Sequence, residues 1–598
     1  MALLNGETAD PTLRLAETSG APSGETAPEE ANPKAGKGPE AFRLPEISDG
    51  DAATKEAEGK TQEIDGEEVY IMNEFEVSAE KDTGYYSANT LSGTRTNALI
   101  KDTPVSISVV NEQLIDDLNL SSIADLSEVL SSVDVDDEDA QFKGSGELNI
   151  RGLFSRNQLF EFFPRALPKE SYNTGRIELI GGTNSLTVGQ AEPGGKVNSG
   201  GKKATFGNDK TELDFMGGNF EKRGSFERNM QINDSLAVNV MGGYRENWRE
   251  QQYSNREFKG VTVAATYRPT NKTQIQLHLE GVSQEVVDAP TGFKMHNNIK
   301  AGLGLLVDPY NPDILDLLPE DLLAHGVEIM NSDDNKFAFD FVDENNAPRD
   351  GTVEDMRAYL EEHMIPTKDT GKFVGDDTYQ RVQGHLEIID ITHAFSDNLQ
   401  GKLAFFHETY ERDYRRNGTG AVTTKRGDLE YDPYVEVNWK RGTEDIEQNS
   451  LRGMLSWTKE LKKSRHQVLL GVDLDHAKAR ETIDDLLDLD EGNYTPGGTY
   501  KNKQKWERPF DITAQNPVNS YYSVAPENPD VNSIWAQSRD DNTITRYAGL
   551  WSALQSSFFN GRMHFLAGMR LNYSDAEVDS MNYQKDVKLD DGDVVRSA

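Results

Sequence analysis

The run KVNSGGKK, residues 196–203, is where this chain of 598 residues comes nearest to phosphate chemistry. A phosphate loop needs Gly-x4-Gly-Lys-[Ser/Thr] opening a helix, so that backbone N–H groups and the helix terminus converge on the anion. Here the first position is Lys196 and the last is Lys203, and the following ATFGNDKTELDFMGG reads as strand. Nucleotide binding is therefore not expected. The glycines are expected to serve backbone turns, with Gly194 and Gly195 at positive φ.

Other constellations fall short in the same way. HETYER at His407 lacks the second histidine of a zinc protease, and no Gly-x-Ser-x-Gly elbow occurs. The acidic runs VDVDDEDA (133–140) and DDLLDLDEG (484–492) lack the spacing of a calcium loop and read as solvated loops. The chain has no cysteine, which excludes disulfides, thiolate metal sites and thiol catalysis. No catalytic residue, metal site or cofactor is expected. With 102 acidic against 62 basic residues, the net charge of -40 opposes a nucleic-acid partner, whose affinity comes from Lys and Arg on phosphates.

The elements that must hold any site fall into distinct zones. Residues 1–66 are rich in Glu, Ala, Gly, Pro, Ser and Thr, bury too little to offset ordering entropy, and read as disordered. EVYIMNEFEVSA, 68–79, is a short extended patch in a zone, 67–103, that otherwise reads as linker. Residues 104–205 mix helix and strand: PVSISVV, ELNIRGL, LFEFFP and RIELIGG read as strands, NEQLIDDL and SSIADLSEVLSSV as helices. In the second helix Ile123, Leu126, Val129, Leu130 and Val133 fall near helical spacing, with Ser121 or Ser122 as N-cap.

From 206 to 598 only strands are expected. TQIQLHLEG, HQVLLGVDLD and RMHFLAGMRLNY alternate over roughly ten residues, the length of a tilted membrane-spanning strand. Their connections alternate too. NDS, PTNKT, FSDN, LKKSR and NGR are tight, whereas about 285–378, 412–446 and 478–543 are long. Short turns at one end and long loops at the other are the habit of an outer-membrane barrel. About eleven strands are counted, while single-chain bacterial barrels use an even number, so about the first half of a barrel is expected. His278, Glu280, Asp473 and Arg570 lie opposite the apolar face. They are expected to line the lumen and pair with inner groups such as Arg151 or Arg165. Trp248, Trp457 and Tyr573 are expected in an interfacial girdle. No run is long and apolar enough for a spanning helix, and no signal-peptide pattern is visible at residues 1–20.

An extended patch, a small mixed domain and then hairpins with long outward loops make an order that resembles the TonB-dependent receptors. Ile150, Arg151 and Gly152 match that family's IRG strand. Gly189, Gln190, Glu192, Pro193, Gly194, Gly195, Val197 and Asn198 match the run that closes its plug. The chain departs from the pattern where a basic-Gly-Pro turn becomes Gly181, Gly182 and Thr183, where Tyr becomes Val188, and where an apolar residue becomes Lys196. The resemblance implies an α+β plug domain followed by an antiparallel transmembrane β-barrel of twenty-two strands in the family, of which this chain carries about the first half.

It also implies energy-coupled uptake across an outer membrane. The partners would be outer-membrane lipid, a small-molecule or oligosaccharide ligand, foremost a ferric siderophore-type chelate, and a TonB-type inner-membrane energy-transducing complex. That complex would pull on Asn73, Glu74, Phe75, Glu76, Val77, Ser78 and Ala79 by β-augmentation. Residues 69–72 are the second choice. The ligand-contacting residues are not assigned. The rival expectations are a passive porin or surface-binding barrel, a soluble β-rich binding protein, and an inactive receptor fragment.

Overall fold

The structure is a computed structural model. It describes residues 84–135, 148–248 apart from 156–157, 183–188 and 190–191, and then 255–287, 378–417, 439–488 and 533–582. Shorter stretches are also described, among them 61–64, 67–70 and 74–76. All of these fall in one compact unit, 54–598.

The first described element corrects the expected disorder of residues 1–66 in part. Strand β1 (Thr61–Ile64) pairs antiparallel with β2 (Glu67–Tyr70), so each satisfies the other's backbone. The remainder of 1–66 lies outside the described residues. Half of the second-choice coupling stretch, Val69 and Tyr70, is already paired in this hairpin.

The inner domain is built on β3 (Ile107–Asn111), whose last residue caps α1 (Glu112–Asp117): the Asn111 side chain accepts from Leu114 N at 3.0 Å. The second helix is shorter than its spacing suggests. Only α2 (Leu126–Val129) is helical, and its N-cap is Asp125 rather than a serine. The Asp125 carboxylate accepts from the backbone N–H and hydroxyl groups of Ser121 and Ser122, at 2.7–3.0 Å, and this holds 121–125 in a turn. The apolar residues still serve. Ile123, Leu126 and Val133 join Val110, Ile115, Leu148, Ile150, Ile177, Leu179 and Val197 in one buried cluster, with Val129 and Leu130 packed against it.

Strands β4 (Leu148–Ile150) and β5 (Leu153–Ser155) form a hairpin turned by Arg151 and Gly152, both at positive φ. LFEFFP, expected as one strand, is instead a second hairpin, β6 (Leu159–Phe160) and β7 (Phe163–Pro164), with Glu161 and Phe162 in the left-handed region. The turn is held from outside, because Glu161 Oε1 accepts from Gly201 N at 3.1 Å and Phe162 N donates to Asn198 Oδ1 at 2.9 Å. Strands β8 (Thr174–Gly181) and β9 (Gly195–Gly201) complete a sheet of order β7–β6–β9–β8–β3.

An antiparallel sheet of eleven strands follows, with a few short strands of other sheets in its connections. The eleven are β10 (Lys210–Gly217), β11 (Glu221–Asn233), β12 (Leu236–Trp248), β13 (Asn255–Thr270), β14 (Thr273–Val287) and β15 (Tyr379–Ser396). Then come β16 (Leu399–Asn417), β17 (Trp439–Leu461), β18 (Ser464–Asp488), β19 (Ser533–Phe558) and β20 (Met563–Asn582). Each strand of this sheet pairs with the next one of the sheet along the chain, with β10 and β20 at the edges.

One face of this wall is apolar and exposed, through Leu403, Phe405, Leu455, Trp457, Leu470, Val472, Leu474, Phe565, Met569, Leu571 and Tyr573. The opposite face buries polar groups, among them Asn239, Thr262, Gln274, His278, Glu280, Glu408, Gln448 and Asp473. Apolar-out and polar-in is the alternation of a lipid-facing wall around a lumen.

Several wall strands outrun the ten-residue pattern, with 25 residues in β18 and 26 in β19. The segments joining β16 to β17 and β18 to β19 are accordingly 418–438 and 489–532, narrower than the expected 412–446 and 478–543. The extra length has no apolar alternation to betray it. Polar cross-strand pairs hold it instead, such as Arg412 with Glu444, Thr443 with Thr482, and Arg441 with Asp484.

Candidate functional site

The inner domain sits against the lumen face, and the contact is part apolar and part ionic. Phe160, Phe163, Leu167 and Tyr172 share one buried cluster with wall residues Met241, Phe258, Val382, Leu386 and Phe406. The Phe163 and Phe406 rings stack with centroids 5.0 Å apart. Tyr172 lies over Gly243 and Gly260. A Cβ at Gly243 would come 2.6 Å from the Tyr172 ring, so only glycine lets the ring reach the backbone. The Tyr172 hydroxyl then meets Thr262 Oγ1 at 2.8 Å.

The ionic contacts place the expected lumen residues. Arg165 donates to both oxygens of Glu280, at 2.7 and 2.9 Å, and its remaining donors reach the carbonyls of Leu167 and Pro168. Glu408 accepts from the backbone N–H groups of Ala166 and Leu167, at 2.9 and 3.1 Å. Lys202 bridges Glu112 of α1 and Glu227 of β11, both at 3.0 Å. Asp473 receives Arg95 at 2.6 Å and also meets Arg570. His278 packs on Phe160, with centroids 5.0 Å apart. Arg165 is thus the expected partner of Glu280, whereas Arg151 makes its contact inside the inner domain.

That contact adjoins one departure in the sequence. The Arg151 guanidinium lies in the space that a side chain at Gly181 would enter, so a larger residue at 181 would need this exposed side chain to swing aside. Gly194 also serves close approach rather than the expected positive φ: a Cβ there would collide with the Ile150 carbonyl oxygen. Gly195 does take positive φ, at 140°. Gly189 is buried beneath Tyr547 and Arg570 of the wall. Glu192 pairs with Lys196 at 3.4 Å, Pro193 is exposed, and Asn198 holds the β6–β7 turn. Ile150 is fully buried, and Arg151 and Gly152 form the exposed turn after it. Gln190, Thr183 and Val188 lie outside the described residues.

Of the expected coupling segment, Glu74, Phe75 and Glu76 are described, while Asn73, Val77, Ser78 and Ala79 are outside the described residues. Phe75 is buried at 2% exposure. Asn97 grips the segment twice, its N–H donating to the Glu74 carbonyl at 2.8 Å and its Nδ2 to the Glu76 carbonyl at 2.9 Å. The wall holds it as well: Thr458 Oγ1 donates to Glu74 at 3.0 Å, and Gln274 Nε2 donates to Glu76 at 2.5 Å. Gln274 and Thr458 stand beside tight turns, so the segment lies at the tight-turn end of the wall.

Two buried cations were not legible from local sequence. Lys169 donates to Ser199 Oγ at 2.7 Å and lies 4.0 Å from the centre of the Phe160 ring. Burial, helped by neighbouring Arg165, holds its ammonium well below the usual lysine range against Glu280 and Glu161. Arg95 has φ 61° and stands 5.5 Å from the ring centres of both Phe162 and Trp551. Its burial lowers its basicity, and the Asp473 carboxylate opposes that.

A family model described as the TonB-dependent receptor plug domain matches residues 100–196, which span β3 to the start of β9. By plug and by wall, this chain has the architecture of a TonB-dependent receptor. Its likeness to solved TonB-dependent receptors is in fold rather than in sequence. The ferric preacinetobactin receptor BauA of Acinetobacter baumannii is 13% identical with a TM-score of 0.56, over 83% of this chain and 64% of that one. The ferric-catecholate import receptor Fiu of E. coli is 15% identical with a TM-score of 0.54, over 82% and 63%. The ferripyoverdine receptor of Pseudomonas aeruginosa is 13% identical with a TM-score of 0.56, over 84% and 56%. The chain thus spans 56 to 64% of the length of these solved structures. No curated protein matches it by sequence. None of its described helices is long and apolar enough to cross a membrane, which has no bearing on strands.

Proposed function

We propose that this chain belongs to an outer-membrane receptor for energy-coupled uptake of a large or scarce ligand, foremost a ferric siderophore-type chelate. The observation that carries the coupling is the placement of Glu74–Glu76 at the tight-turn end of a lumen filled by the plug. A passive pore needs an open lumen, whereas here Phe160, Phe163 and Tyr172 pack on the wall and Arg165 pairs with Glu280. Passage therefore requires the plug to move, and a short segment beside it is the handle. The wall's apolar outer face supports lipid as its surroundings.

The ligand class rests on relatives named for ferric preacinetobactin, ferric catecholate and ferripyoverdine. That family is one of receptors and transporters, and no catalysis is ascribed to this chain. The partner for Asn73–Ala79 is a TonB-type energy-transducing complex that adds the segment as a strand to its own sheet. The plug is proposed to span 104–205, after a coupling and linker zone of 67–103, with the wall from 206.

Because the chain has no native cysteine, single cysteines placed at 73 through 79 can be cross-linked to cysteines in the energy-transducing protein's periplasmic domain. Strand addition gives cross-links that alternate along the segment with period two. Absence of any cross-link across 73–79 overturns the coupled reading.

A further inference from the structure

The handle and the plug–wall seal are joined by a short chain of contacts. Asn97 holds the carbonyls of Glu74 and Glu76, and its own Oδ1 accepts from Asn89 at 2.6 Å. Two residues before it, Arg95 crosses to the wall and donates to Asp473 at 2.6 Å. Between them and just before, Thr94 and Thr96 share a hydrogen bond of 2.9 Å, and Thr94 also accepts from Gln555 of β19 at 2.9 Å. Residues 94–97 therefore touch the handle on one side and the wall on the other.

Arg95 is less fully satisfied on the plug side than Asp473 is on the wall side. Arg95 is in the left-handed region at φ 61°, an unfavourable conformation for a non-glycine residue. Its Nε is buried with no hydrogen-bond partner among the described residues, and so is Trp551 Nε1 beside it. Asp473, in contrast, also meets Arg452 of the adjacent strand β17 and Arg570 of β20, two strands away. When Arg95 leaves, Asp473 keeps two cationic neighbours and stays in place to receive it again. The same Arg570 lies on Gly189 of the plug's closing run, so the contact also adjoins the segment beyond β8.

We infer that Asn97, Arg95 and Asp473 form a mechanical link through which a pull on Glu74–Glu76 breaks one plug–wall contact first, at Arg95–Asp473. Asn97 and Arg95 act as positioning residues; neither is assigned a contact with the transported ligand. The inference rests on the coupled-uptake reading and adds the route by which the pull enters the seal.

The test uses a single cysteine at the handle, Phe75→Cys, labelled by a water-soluble maleimide in isolated membranes without an energy source. A tight link holds residue 75 buried, so labelling is slow. Asn97→Ala, Arg95→Met and Asp473→Asn are each expected to speed labelling about tenfold, the scale of losing a charge-assisted hydrogen bond or a pair of neutral ones. Arg95→Lys keeps the charge and is expected to stay within about twofold of the parent. A second cysteine series at Val110→Cys, in the plug core, reports general loosening and is expected to stay unlabelled in every variant.

Faster labelling at 75 with Arg95→Met and Asp473→Asn, and none at 110, supports the link. Unchanged labelling at 75, or equal gains at 75 and 110, overturns it. The coupled reading is judged separately, by uptake after deletion of 73–79. Loss of uptake with unchanged labelling removes the link and leaves the reading. Persistent uptake with faster labelling removes the reading and the pull with it, and leaves only a static coupling between residues 74–76 and the Arg95–Asp473 contact.

Discussion

Arg165 of the plug donates a two-pronged pair of hydrogen bonds to Glu280 of β14, and both side chains are shut off from solvent. Removing one partner of such a pair strands the other charge, at a cost of about 3–5 kcal/mol. Glu280→Ala is therefore expected to weaken plug docking by that amount, read as the urea midpoint for plug release in detergent. Arg165→Met with Glu280→Met together is expected to cost less than the single change, since no charge is left buried.

Tyr172 rests on a wall patch stripped to backbone at Gly243 and Gly260. Gly243→Val forces the ring off the wall and separates its hydroxyl from Thr262. Overpacking of this kind costs about 1–3 kcal/mol. Protease cleavage within 171–173 in intact membranes is the check, and cleavage in the variant at the parent's rate would count against the seating of Tyr172.

Lys169 gives a pH dependence with a defined sign. Its folded pKa lies below the usual lysine value of about 10.4, so the unfolded chain binds more protons between the two. Plug stability from this group is complete above the unfolded pKa and falls away as pH drops through the folded one. Lys169→Met is expected to remove that slope and to stabilise the plug most at the acid side of the window. Urea midpoints of parent and variant at a series of pH values between 6 and 10.4 (about the lysine reference) isolate the effect.

The wall's outer face predicts a depth dependence. Met569 on β20 is exposed on the apolar side, and Met569→Arg is expected to cost about 2–4 kcal/mol in bilayer folding. Asp579 lies farther along the same strand, outside the apolar belt, and Asp579→Arg is expected to cost about 0–1 kcal/mol. Equal costs at the two positions would contradict the assignment of the lipid face.

The wall was readable because lipid on one side and packed plug on the other impose period two on strands such as β14, β18 and β20. The polar ends of β16 to β19 were not readable, since strands above the lipid have no such alternation and rest on cross-strand pairs. Glu280 and Asp473 were placed in the lumen by parity alone, and one of the two partners expected there, Arg165, meets Glu280. Arg95 was missed because its partner is 378 residues away and nothing near it in sequence marks a turn of that shape. Asp125 defeated the helix reading by bonding backward to two serines, a choice open to a carboxylate but invisible to apolar spacing.

Coupled uptake is the central claim, and binding must separate from accumulation to prove it. In native cells starved of iron, radio-iron supplied as a catecholate or pyoverdine-type chelate is followed with residues 73–79 intact and deleted. The account predicts that surface binding survives the deletion while accumulation is lost. Accumulation at the undiminished rate after deletion would contradict it.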